Sequence, residues 1–116
     1  MMNFFRRSKS DVKYDNLTVP EYAEQFANGN KSHTLIDVRT GSEFNGGHLP
    51  GAMNIPLSDI GNRTDDIPTD KPIVVVCASG NRSKSAADKL TKAGFEQVYN
   101  LKGGTMKWMM QGHPLE

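Results

Sequence analysis

The chain has 116 residues, 14 of them basic and 13 acidic, for a formal charge of +1, and 36% of its residues are hydrophobic. That length builds one domain around one core and is too short for two, while so even a charge balance sets up no field to gather nucleic acid or an anionic membrane. With no run of about eighteen apolar residues and no charged-then-apolar leader, a cytoplasmic protein without stable membrane insertion is expected.

Residues 1–11 set Phe4 and Phe5 beside Arg6, Arg7 and Lys9 without turn signals and read as a flexible N-terminal segment. Val12 to Leu17 suits a short edge strand. Thr18-Val19-Pro20-Glu21 then announces a helix, with a Thr cap, Pro in the first turn and Glu three residues after the cap. Tyr22, Ala23 and Phe26 supply its apolar stripe, and Asn28-Gly29-Asn30 ends it. Thr34 to Val38 is the next strand, with Asp37, Val38 and Arg39 at its C-terminal end, the edge where open α/β sheets build sites. Thr40-Gly41-Ser42-Glu43 repeats the cap-to-glutamate spacing and predicts a helical turn through Phe44 and Asn45. A loop dense in Gly and Pro, residues 46–51, leads into a short strand, Ala52 to Ile55. Leu57 to Ile60 suits one helical turn, and residues 62–72 read as polar connector in which Pro68 and Pro72 oppose regular structure.

Ile73-Val74-Val75-Val76 is a continuous apolar, mostly β-branched run of the kind buried on both faces of a parallel sheet. Cys77 to Arg82 forms a loop, and Ser83 to Leu90 reads as a helix that Gly94 stops. Gln97 to Leu101 is a last strand, and Gly103-Gly104 turns the chain into a terminal helix. There Met106, Met109, Met110 and Trp108 are expected to line the core or a groove. Leu115 and Glu116 read as a cloning scar. Strands alternate with helices, so the fold class is α/β: a sandwich with a largely parallel sheet of about five strands and helices on both faces.

The only cysteine, Cys77, lies at the joint between the central strand and its helix. Backbone N–H groups of such a loop point inward, and the helix start adds partial positive charge, so an anion there is stabilised. If the anion is the thiolate of Cys77, its pKa falls from about 8.5 toward roughly 3.5–7.5 and the sulfur becomes a nucleophile at neutral pH. A lone cysteine excludes an internal disulfide and an internal resolving thiol, in keeping with a reducing compartment. Whatever is loaded on it must be removed by something outside the chain.

Several blocks in one order resemble the rhodanese family, specifically a single-domain rhodanese, across roughly residues 12–112. They are Leu35-Ile36-Asp37-Val38-Arg39 with Glu43-Phe44; Gly47-His48-Leu49-Pro50-Gly51-Ala52-Met53-Asn54-Ile55-Pro56; the loop Cys77 to Arg82 with Ser83 and Ala86-Ala87; and Leu101-Lys102-Gly103-Gly104 with Trp108. The resemblance implies a rhodanese-like domain over residues 12–114. It implies transfer of sulfane sulfur from a donor such as thiosulfate to a thiophilic acceptor, through a persulfide on Cys77. The substrate-binding loop is then Ala78, Ser79, Gly80, Asn81 and Arg82, with Asp37, Arg39, Glu43, His48 and Ser83 in support. Gly80 suits a loop whose N–H groups converge. Ser83 can donate to the bound anion or cap the helix, and capping is the expectation.

A phosphatase of related architecture places its arginine after five intervening residues, whereas four separate Cys77 from Arg82 here, a ring better suited to sulfur. Arg82 has two roles open: charge for the incoming anion, or a brace paired with Glu43 or Asp37. Asp37 and Arg39 are expected to tie loops together, and His48 to orient its loop rather than act as the base of a Cys–His pair. Three scattered histidines and one cysteine make no metal set, and no cofactor is implied. The expected partners are a small anionic sulfur donor and an external thiol or protein acceptor. The competing readings are a persulfide carrier or sensor with slow thiosulfate turnover, a phosphatase or arsenate reductase of similar fold, and an inactive scaffold.

Overall fold

A computed structural model describes residues 13–29 and 31–116. The expected N-terminal segment, the start of the first strand at Val12, and Asn30 lie outside the described residues. The strands are β1 (Asp15–Leu17), β2 (Thr34–Asp37), β3 (Met53–Asn54), β4 (Ile73–Val76) and β5 (Val98–Leu101). They pair in parallel in the order β1-β5-β4-β2-β3. The expected α/β sandwich is therefore what the chain forms, and its most apolar strand is the central one.

Alternation along β4 divides the core into two layers. Ile73 and Val75 face α3 (Asn81–Lys92), where they meet Ala86, Ala87 and Leu90, together with Ile60 and Ile67. Val74 and Val76 face the other way, onto α1 (Val19–Tyr22) and its π-helical continuation Ala23–Ala27, and onto Trp108 of α4 (Gly104–Met110). Each fully buried aliphatic side chain contributes about 1.5–3 kcal/mol, enough to offset the roughly 1–2 kcal/mol of backbone entropy lost per ordered residue. Cys77 continues the phase of Ile73 and Val75, so its side chain turns toward α3.

Both capping boxes form. Thr18 and Glu21 bond reciprocally ahead of α1, and Thr40 and Glu43 do so ahead of α2 (Gly41–Asn45). Several expectations are corrected. Helix α3 starts at Asn81, two residues before Ser83, because Gly80 adopts φ +101° and opens the helix there. The connector is not featureless: 3-10 turns span Leu57–Asn62 and Thr64–Asp66, and buried Ile67 anchors it. In α4 only Trp108 of the aromatic and methionine group joins the core, while Met106, Met109 and Met110 are exposed. Leu115 packs on the layer that holds Trp108, and the backbone of Glu116 exchanges hydrogen bonds with that of His48. Among the described residues no helix is long and apolar enough to cross a membrane.

Candidate active site

The C-terminal edge of the sheet carries the loop from Cys77 to Gly80, and its backbone is aimed by α4. The carbonyl of Cys77 accepts the Thr105 N–H at 2.9 Å and the Thr105 hydroxyl at 3.3 Å, while the carbonyl of Ala78 accepts the Met106 N–H at 3.0 Å. The N–H of a peptide unit points opposite to its carbonyl. Holding the Ala78 carbonyl on α4 therefore turns the Ser79 N–H the other way, toward the sulfur. Cys77 Sγ accepts the Gly80 N–H at 3.1 Å and lies 3.4 Å from the Ser83 hydroxyl.

The side chain of Cys77 is only 1% exposed. Burial pushes its thiol pKa up, but the hydroxyl of Ser83 and the N–H groups of Ser83, Gly80 and Ser79 outweigh that, and the net direction is downward. The expected cup of inward amides thus exists around this sulfur. Ser83 does not cap α3, because it lies inside the first turn, buried, with its hydroxyl toward Sγ and toward Asn100 Oδ1.

The flank toward β2 is tied down by ion pairs. Arg82 forms a two-pronged pair with Glu43, Nη1 to Oε1 at 2.8 Å and Nη2 to Oε2 at 3.0 Å. Of its two open roles the geometry displays the brace, with Glu43 rather than Asp37. Hydrogen bonds from Arg82 and from the Thr40 N–H hold the Glu43 pKa down at about 2. Buried Asp37 and Arg39 pair with each other, and Arg39 Nη2 also donates to the Gly47 carbonyl at 2.7 Å. Asn54 Nδ2 donates to the carbonyls of Asp37 and Arg39, both at 3.0 Å. His48 stacks on Phe44 with ring centroids 3.8 Å apart, and its Nδ1 lies 3.0 Å from the Phe44 carbonyl oxygen. These contacts stay within its own segment, and it makes no bond to the sulfur.

The flank toward β5 is open. A groove of about 610 Å³ runs past Ser79, Gly80 and Asn81, and Lys84, Lys102 and Lys107 line it without a carboxylate among the lining residues. Sequence reasoning missed these lysines. It also missed Thr105 and Asn100, which reach the site only through the packing of α4 and the register of β5.

The model of the family described as "Rhodanese-like domain" matches residues 18–111. The chain is 49% identical over 85 residues to the uncharacterized protein YqhL of Bacillus subtilis, covering 73% of this chain and 68% of that one. It is 40% identical over 78 residues to the thiosulfate sulfurtransferase GlpE of Shewanella oneidensis, covering 67% and 77%. In structure it is similar to a rhodanese-related protein of Thermoplasma volcanium, with a TM-score of 0.80 and 28% identity over 89% of this chain and 98% of that one.

Proposed function

Because the chain belongs to the rhodanese-like domain family, we propose that it is a sulfurtransferase that carries sulfane sulfur as a persulfide on Cys77. The observation that carries this reading is the buried sulfur met by the Gly80 N–H and the Ser83 hydroxyl, which favour its thiolate. Similarity to a thiosulfate sulfurtransferase supports thiosulfate as donor.

In the first half of the cycle the Cys77 thiolate attacks the outer sulfur of thiosulfate. A new S–S bond forms, that of the donor breaks, and sulfite leaves with the electron pair. The charge then rests on the outer sulfur of the persulfide, where N–H groups of the same loop hold it. In the second half an external acceptor, cyanide or a small or protein thiol, attacks that outer sulfur and frees the thiolate. The loop N–H groups and the Ser83 hydroxyl favour the thiolate directly, so this route calls on no side-chain base. Arg82 stiffens the loop through Glu43, and Ala78, Ser79 and Asn81 are assigned to donor binding, Ser79 and Asn81 lying on the open groove.

Intact mass after incubation with thiosulfate tests this: the native chain gains one sulfur atom, and Cys77→Ser gains none. A gain from a protein or small-molecule persulfide with none from thiosulfate replaces the reading with a persulfide carrier. Turnover of an aryl phosphate replaces it with a phosphatase.

A further inference from the structure

Behind the sulfur, Ser83 opens a hydrogen-bonded chain whose other members, Asn100 and Asn16, these two half-reactions leave unused. Ser83 Oγ, 3.4 Å from Cys77 Sγ, also makes a short bond to Asn100 Oδ1, and Asn100 Nδ2 donates to Asn16 Oδ1 at 3.0 Å. Parallel pairing places Asn16 directly beside Asn100, and Asn100 beside Val75 of the central strand. Ser83 and Asn100 are fully buried, whereas Asn16 is exposed. Among the described residues Asn100 is the one buried side-chain amide. Burying an amide is costly unless it is bonded, and a leucine of similar size would fit the sheet at lower cost.

A serine hydroxyl carries one proton, so Ser83 donates to Sγ or to Asn100 Oδ1 and never fully to both. Resting on the sulfurtransferase reading above, we propose that Asn100, held by Asn16, is a positioning residue giving the Ser83 hydroxyl two rest positions, so that its proton follows negative charge on and off Cys77 Sγ. While Sγ is a thiolate, Ser83 donates to it. The Asn100 amide then turns over, with Nδ2 donating to Ser83 Oγ and Oδ1 accepting from Asn16. After the attack the charge has moved to the outer sulfur, and Sγ is a neutral divalent sulfur and a weak acceptor. Ser83 returns to Asn100 Oδ1, and the amides turn back. No proton leaves the chain in either direction. Because Asn16 ends at the surface, water satisfies whichever group it turns outward, and no buried group is left unpaired by the reversal. The hydroxyl thereby stabilises the thiolate as leaving group during unloading and withdraws from Sγ once sulfur is loaded.

The test is the rate of Cys77 alkylation by iodoacetamide as a function of pH, which needs no sulfur donor. It therefore reads the chain of bonds even if the mass experiment fails. Asn100→Leu leaves Sγ as the sole acceptor for Ser83, so alkylation at the acidic foot of the profile rises about threefold. In a Ser83→Ala background the same substitution changes it by less than about 1.5-fold, since Asn100 acts only through the hydroxyl. Asn16→Asp, at an exposed position, only accepts; it fixes Asn100 Oδ1 on Ser83 and slows alkylation about threefold. With Ser83→Ala it does so by a smaller factor that reflects the carboxylate charge alone. Equal factors in the two serine backgrounds for the Asn16 substitution, or no response to Asn100→Leu in a folded protein that retains Ser83, overturns the proposal. The charged groups near the sulfur, Arg82 from α3, Glu43 from α2 and the Asp37–Arg39 pair at the end of β2, are the same in every variant compared.

Discussion

Glu43 serves two structures with one carboxylate. Its Oε1 accepts the Thr40 N–H that opens α2 and one nitrogen of Arg82, and its Oε2 accepts the other. With its pKa lowered from 4.5 to about 2, the folded state binds this proton less readily than the unfolded chain. The stabilisation it supplies is therefore complete above about pH 4.5 and is lost as the pH falls toward 2. Glu43→Gln should unfold at lower temperature than the native chain at pH 6, and the gap between the two melting temperatures should shrink as the pH drops to 2. A constant gap would mean that the ionised carboxylate does not carry the brace. The residues legible in the sequence were those whose chemistry shows locally: Cys77 as the only thiol, Gly80 beside it, and Thr40 three residues before Glu43. Asn100 was illegible because its role depends on parallel register with β4 and β1, which no local pattern encodes. Ser83 was misjudged because a left-handed Gly80 opens α3 early and turns that side chain inward.

At the scale of elements, the start of α4 acts as the template for the Cys77–Gly80 loop. Gly104 has φ +62°, and a Cβ there would strike the Cys77 carbonyl and approach that of Ala78 to 2.6 Å. Both obstacles are backbone, so neither can swing aside. Gly104→Ala should cost about 2–4 kcal/mol in denaturant unfolding, and the molecules that do fold should alkylate at Cys77 more slowly at neutral pH. A silent substitution would mean that α4 does not set the loop. The Gly103-Gly104 turn was visible in the sequence, but its contact with residues 77 and 78 was not, since it joins segments far apart in the chain. The methionines misled for a related reason. Helix α4 buries only Gly104, Thr105 and Trp108, a stripe too narrow to take in Met106, Met109 or Met110.

For the whole molecule, β2, β4 and β5 each send residues into both layers of the core. Cys77 belongs to the layer under α3, and Trp108, the only tryptophan, belongs to the layer under α1 and α4. Strands common to both layers make them one cooperative unit. Denaturant titrations followed by tryptophan fluorescence and by far-ultraviolet circular dichroism, to which the long α3 over the other layer contributes, should superimpose. Midpoints that separate would show that the layers unfold independently. The α/β class and the parallel sheet were readable from the alternation of segments and the apolar run at 73–76. The short β3 was readable as well, within the strand expected at Ala52 to Ile55, but the buried anchor at Ile67 was not, because a single apolar residue among polar ones carries no periodic signal.

The sheet edge is also divided in how it is built. Toward β2 it is stitched by Arg82 with Glu43 and Asp37 with Arg39, and toward β5 it opens into the groove of Lys84, Lys102 and Lys107. Those lysines touch neither the sulfur nor its braces through any hydrogen bond or ion pair. Substitutions on the lysine bank can therefore reshape the surface beside the loop while the contacts of the sulfur and the ion pairs on the opposite bank stay as they are.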